Sequence, residues 1–169
     1  SPRHAVHLPH GVIEQMPICS PQYYACKYVN GHPNNPLDGK QTVVALGTLA
    51  DTQSGYPLMV SEMTLLTALR TAATTALASK YLARPEGKKV ALIGCGAQAE
   101  FLAYAHYVSN DITSVAYFDP DQSAMEKFAD NCGDAPFDIE PHDDTQSAIK
   151  DADIIITATA AKKNNIILK

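Results

Sequence analysis

Val90-Ala91-Leu92-Ile93-Gly94-Cys95-Gly96-Ala97-Gln98-Ala99 runs an uninterrupted apolar stretch into the pattern G-x-G-x-x-A and on into residues of helical periodicity. The apolar stretch has the length and composition of a strand buried on both faces. In such a strand-turn-helix unit the first glycine, Gly94, makes the tight turn, and the second, Gly96, lets the backbone approach a pyrophosphate. Ala99 then keeps helix and strand close. The helix N-terminus turns its free N–H groups and partial positive charge toward the phosphates. A bare match of this kind is weak evidence, but the next strand, 114–118, ends at Asp119, at about the distance where a carboxylate accepts ribose hydroxyls. A carboxylate there favours NAD over NADP, because it would repel a 2′-phosphate. Asp119 also reads as the opener of the turn Asp119-Pro120-Asp121.

Outward from this turn, strands are expected at 89–93, 114–118, 137–140 and 153–158, with helices at 98–108, 122–131 and 145–150. Such alternation implies a parallel sheet with right-handed crossovers. A doubly wound dinucleotide domain has about six strands, so with four the sheet is expected to be incomplete at its C-terminal side. Upstream, Arg84-Pro85-Glu86-Gly87 breaks a long helical pattern, and the domain boundary is expected there. Residues 1–84 then form a β-rich module ending in a helix, and 85–169 a Rossmann-type domain. The fold class is α/β: a β-rich substrate and dimerisation module followed by an incomplete Rossmann-type parallel sheet. Strands at 11–16, 23–29, 42–49 and 57–62, separated by Gly-, Pro- and Asn-rich turns, read as a meander. In the helix 64–82, Leu65, Leu66, Leu69, Ala72, Ala73, Ala76, Leu77 and Leu82 recur at three- and four-residue spacing. The many alanines predict close packing against a sheet or another helix.

Composition narrows the function classes. Of the 169 residues, 46% are hydrophobic and 18% charged, which is near the globular average. The formal net charge of −5 comes with no basic stripe, so nucleic acid is not an expected partner. No apolar run approaches the ~20 residues of a membrane span. The four cysteines, Cys19, Cys26, Cys95 and Cys132, form no Cys-x-x-Cys pair and nothing like a signal peptide opens the chain, so a cytoplasmic location is expected. Cys95 reads as compact filler rather than a nucleophile, having no histidine beside it. His4, His7 and His10 suggest a metal, but in a strand three-residue spacing puts successive histidines on opposite faces, and no metal is expected. His32, His106 and His142 read as turn and surface residues. A β module with few helices to cover it is expected to form a homodimer.

Three segments, Lys27-Tyr28-Val29-Asn30-Gly31-His32-Pro33-Asn34, Leu69-Arg70-Thr71-Ala72-Ala73-Thr74 and Ala91-Leu92-Ile93-Gly94-Cys95-Gly96-Ala97-Gln98, resemble the corresponding stretches of the ornithine cyclodeaminase and μ-crystallin family. The resemblance runs in order along essentially the whole chain. Val12-Ile13-Glu14-Gln15-Met16-Pro17 is similar to the cyclodeaminase branch rather than the crystallins or alanine dehydrogenases. What the resemblance implies is conversion of L-ornithine to L-proline and ammonia by internal hydride transfer through bound NAD. Lysine cyclodeaminase, a ketimine reductase or alanine dehydrogenase, and a non-catalytic crystallin-like binding protein are the alternatives. It further implies that Arg3 and Lys27 hold the substrate carboxylate, Lys27 being the catalytic cation, and that Glu14 and Met16 line the pocket. The cofactor residues implied are Thr42, Arg70, Gly94, Gly96, Ala97, Gln98, Asp119 and Thr159. The family's catalytic aspartate would lie beyond Lys169 and a helical stretch before Ser1, so these 169 residues alone are expected to be inactive. On physical grounds, a carboxylate entering an apolar pocket needs cationic partners. Without the resemblance, Lys27 reads equally as a strand-edge lysine and Arg70 as a solvated helix charge.

Overall fold

The computed structural model describes residues 3–159 and 167, and the chain divides into two compact units, Ser1–Thr67 and Ala68–Lys169. The first is the expected meander: β1 (His4–Leu8), β2 (Gly11–Cys19), β3 (Tyr23–Gly31), β4 (Ala45–Asp51) and β5 (Pro57–Glu62) pair antiparallel in chain order. Strand β1 was not among the expected strands. Its register, from Leu8 opposite Gly11 to His4 opposite Gln15, is set by β2 across the two-residue turn Pro9-His10. Strand β4 starts at Ala45, not Thr42, because a 3-10 turn over Asn35–Asp38 and its exit occupy the preceding residues.

Because successive side chains in a strand alternate between faces, register decides which residues meet. One face carries the row Ala5, Glu14, Val29 and Ala45, and the row Met16, Lys27 and Gly47. Val29 and Ala45 are buried there. On the other face Val6, Tyr28, Leu46 and Val60 are exposed, Val60 at 72%. An apolar sheet face of this extent on a folded unit is the kind that partners cover.

Helix α1 (Thr64–Leu82) follows β5 and is pinned to β4 at its start, where Met63 N–H donates to the Ala45 carbonyl and Ala45 N–H to Thr64 Oγ1. The division between the units falls inside this helix rather than at Arg84–Gly87, because the body of α1 packs with the second unit. Ala68, Ala72 and Ala76, spaced one turn apart, are its buried positions, and Ala72 belongs to the core cluster of the parallel sheet. The alanine packing is as expected, but the leucines of the expected stripe are not buried. Leu65, Leu66, Leu69, Leu77 and Leu82 flank the alanine line and are all exposed.

The second unit alternates β6 (Lys89–Ile93), α2 (Ala99–Asn110), β7 (Ser114–Phe118), α3 (Gln122–Cys132), β8 (Asp138–Pro141), α4 (Thr145–Ile149) and β9 (Ile154–Thr157). The sheet is parallel, in the order β8-β7-β6-β9. Val90, Ala91, Leu92 and Ile93 are at most 2% exposed, as the central strand of such a sheet requires. Phe128 closes the core from α3, its ring 4.8 Å from that of Tyr117. Asp121 and Asp144 cap α3 and α4 by accepting the N–H of Ser123 and Ser147. Asp153 accepts the N–H groups of Lys88 and Lys89, tying the start of β9 to that of β6. These backbone bonds hold its carboxyl below the usual range.

His106, expected at the surface, is the one fully buried charged or polar residue among the described residues. Its Nδ1 lies 2.7 Å from the Leu102 carbonyl, which can only accept, so Nδ1 carries the proton; Nε2, 3.0 Å from Ser79 Oγ, accepts. Both nitrogens are thereby satisfied with the ring neutral, and burial lowers the imidazole from its ordinary pKa, the Leu102 bond opposing this only in part. Below about pH 6.5 the unfolded chain takes up a proton that folded His106 resists. Stability from this group is therefore full above that pH and declines as the pH falls toward the folded-state value. His106→Gln is expected to flatten that decline, read as the difference in urea midpoint between about pH 7.5 and about pH 5.5. An unchanged difference in the variant would rule the role out.

Candidate functional site

In the second unit the glycine turn sits at the C-terminal ends of β6 and β9, where the strand order reverses direction. Ligands of open parallel sheets bind in such crevices. Gly94 has φ +105, a conformation side chains rarely adopt, and a Cβ there would stand 2.8 Å from the carbonyl carbon and oxygen of Ala158. Gly94 N–H donates to Phe118 O, and Ala158 N–H to Ile93 O, so the turn is laced to both neighbouring strands. A Cβ on Gly96 would meet nothing within 4 Å, leaving its backbone approachable. Ala99, 1% exposed, brings α2 down onto the sheet. Gln98 stands at the helix N-cap, and its Oε1 is buried with no hydrogen-bond partner among the described residues. Beside it a cleft of about 610 Å³ is lined by Thr71, Thr75, Gln98, Leu102, Ala158 and Thr159, among others.

Asp119 opens the turn expected of it and makes a second bond that the sequence did not show. Oδ1 accepts Asp121 N–H at 2.9 Å, opening the turn, and Oδ2 accepts Cys95 N–H at 2.8 Å, tying the second strand to the glycine turn. A carboxylate oxygen has a further lone pair, so hydroxyl groups can still be accepted. Cys95 is 2% exposed, and burial, reinforced by the negative charge of Asp119, pushes its thiol up to about 12. It stays protonated at neutral pH and fills space, as the sequence suggested.

In the first unit Glu14, Met16 and Lys27 lie on the same sheet face, Met16 directly opposite Lys27. Arg3 Nη1 reaches Glu14 Oε1 at 3.3 Å, and Lys27 stands on the same face, opposite Met16 and one row along from Glu14. Lys27 Nζ donates to Thr67 Oγ1 at 3.3 Å. A guanidinium has five N–H donors, and one bond to Glu14 leaves the others to engage a carboxylate.

Thr42 lies in the loop before β4, its carbonyl accepting His32 N–H. Arg70 is exposed on α1 and does not line the cleft. Thr159 does line it, while Ala97 forms the turn with Gly96. Among the described residues no three His, Cys, Asp or Glu side chains gather as a metal site. Sequence reasoning passed over Gly47, Met63 and Thr67. A glycine inside a strand is itself a signal of close approach, and at Gly47 a Cβ would meet the Met63 side chain at 2.6 Å.

The profile of the Ornithine cyclodeaminase/mu-crystallin family matches residues 1–169. Ornithine cyclodeaminase of Agrobacterium fabrum is 50% identical over 167 residues, 99% of this chain and 47% of the relative. The solved structure of a lysine cyclodeaminase, described as recognising L-lysine, L-ornithine and L-2,4-diaminobutyric acid, superposes with a TM-score of 0.93 at 30% identity. That match covers all of this chain and 51% of the other. An archaeal alanine dehydrogenase dimer with bound NAD superposes with a TM-score of 0.87 at 34% identity, over 96% of this chain and 50% of the other. The chain thus spans about half the length of the relatives it matches.

The two glycines of the turn should respond differently to the same change. Gly94→Ala meets both a disfavoured φ and the Ala158 carbonyl, and is expected to cost about 1–3 kcal/mol or more, whereas Gly96→Ala should stay within about 0.5 kcal/mol. Denaturant midpoints test this, and equal losses at the two positions would contradict the turn geometry.

Proposed function

The chain belongs to the ornithine cyclodeaminase/mu-crystallin family, and from that premise we propose that the protein carrying it is an NAD-dependent ornithine cyclodeaminase, releasing ammonia from L-ornithine and closing it to L-proline. The observation that carries this reading is the sheet face on which Lys27, Met16 and Glu14 meet, with Arg3 bound to Glu14. Two cations there suit the substrate carboxylate, and the Glu14 carboxylate suits a substrate that also bears two amino groups. Half-identity to an ornithine cyclodeaminase along almost the whole chain supports the same substrate.

The residues of the second unit fit NAD. The open backbone at Gly96 and the N-terminus of α2 would take the pyrophosphate, Gln98 and Thr159 line the adjoining cleft, and Asp119 would accept the ribose hydroxyls. Arg70 and Thr42 are proposed as further cofactor contacts on the family resemblance alone. When bound, the nicotinamide supplies reversible hydride exchange at the substrate Cα, so the overall conversion is redox-neutral. The chain's own contribution is placement. Arg3 and Lys27 fix the carboxylate, and Met16 gives the aliphatic substrate chain an apolar wall, holding it in one geometry through successive steps.

Lysine cyclodeaminase is the second reading, favoured by the superposition on an enzyme that recognises both amino acids. One methylene changes discrimination by only about 1–3 kcal/mol. The protein is proposed to act in the cytoplasm, where its four unbridged thiols stay reduced. No described helix is long and apolar enough to cross a membrane. A homodimer is proposed through the exposed sheet face bearing Val6, Tyr28, Leu46 and Val60.

The protein as encoded in its natural gene should release ammonia and form proline from L-ornithine with NAD well below the substrate concentration, and NADP should not replace NAD. Lys27→Met should lower kcat/KM on the order of a hundredfold or more, a charged hydrogen bond having been lost in a pocket. Conversion of lysine but not ornithine would install the second reading, and NAD binding without either product would displace both. For the assembly, sedimentation should give a dimer that Val60→Glu dissociates; an unchanged dimer in that variant would place the interface elsewhere.

A further inference from the structure

The ammonium of Lys27 stands in the middle strand of a sheet face whose opposite neighbours, Met16 and Gly47, offer it no oxygen from their side chains. One oxygen that it does meet comes from α1. Lys27 Nζ donates to Thr67 Oγ1 at 3.3 Å, and the same Oγ1 lies 2.6 Å from the Met63 carbonyl one turn earlier. A carbonyl can only accept, so the single hydroxyl proton of Thr67 is committed to Met63. What Thr67 turns toward Lys27 is therefore lone-pair density, which takes a hydrogen bond from an ammonium and fixes its direction.

The position of that hydroxyl is over-determined by the sheet. Met63 N–H donates to the Ala45 carbonyl, and Ala45 N–H donates to Thr64 Oγ1, so the first turn of α1 is docked on β4 by reciprocal bonds. Glu62 accepts the Thr64 N–H. The Met63 side chain lies over Gly47, the residue opposite Lys27, where any side chain would collide with it. Gly47 thus admits Met63, Met63 sets the helix start, and the helix start presents Thr67 to Lys27.

We propose that Thr67 is the positioning residue of Lys27, holding the ammonium over the Met16 and Glu14 face in the orientation that receives the substrate carboxylate. The role of Lys27 rests on the cyclodeaminase reading; the Thr67 bond and its anchoring do not. A hydroxyl that only filled space or capped a helix would be replaced by valine, of nearly the same shape, with little effect on substrate binding.

The test compares Thr67→Val with Thr67→Ser in the natural full-length protein. For L-ornithine, Thr67→Val should raise KM by roughly tenfold with a smaller change in kcat, as expected for loss of a hydrogen bond to a charged group. Thr67→Ser should restore KM, and NAD affinity should be unchanged in both. A readout independent of turnover is the NMR signal of Lys27 after ¹³C-dimethylation of the lysines, assigned by its loss in Lys27→Arg. It should shift in Thr67→Val and stay in place in Thr67→Ser. Wild-type KM in Thr67→Val together with an unmoved Lys27 signal would overturn the proposal while leaving the activity standing. If the protein proves inactive on ornithine, the cyclodeaminase reading falls and the Lys27 signal alone decides the role of Thr67.

Discussion

The backbones of β6 and β9 approach so closely where β6 ends that only glycine fits at position 94. That contact joins the outer strand of one arm of the sheet to the central strand at the switch point, and the glycine turn is built on it. With Gly94 folded against Ala158, the next residue offers its N–H to Asp119, and the chain then enters α2 under Ala99. The N-terminus of α2, the acidic residue of the second strand and the cleft beside Gln98 are consequences of one backbone geometry rather than separate inventions. Asp153 makes the complementary tie at the other end of the same two strands.

In the first unit the governing constraint is register. A slip of one residue between β2 and β3 would send Lys27 to the opposite face from Met16 and Glu14. The antiparallel meander keeps this register through local turns, and α1, docked on β4, adds a hydroxyl from outside the sheet. A cation presented by a strand has little freedom to wander, so the register fixes where Lys27 stands.

Much of this was legible in the residues because the signals were local. The apolar run ending in Gly94, the alternation of strands and helices after it, and the alanine spacing in α1 each carry their physics within a few residues. The errors arose where a distant partner decides. Strand β1 exists through pairing with β2, and His106 is buried because Ser79 and Leu102 supply its hydrogen bonds. The leucines of α1 match helical periodicity as well as its alanines do, yet the sheet selects the narrow line Ala68, Ala72 and Ala76. The two compact units divide within the same helix, after Thr67. Thr67 carries no signal of its own, since nothing nearby in sequence reveals that Lys27 donates to it.

The contact between Met63 and Gly47 has an evolutionary reading. The two positions share one volume, so neither can be judged by its own tolerance. An alanine at 47 in the background of Met63 forces that side chain to shift, whereas the same alanine beside a smaller residue at 63 would be nearly silent. Such a pair changes along a lineage only in an ordered sequence, contraction at 63 before expansion at 47. It should leave its mark as correlated substitution wherever the hydroxyl at 67 is retained.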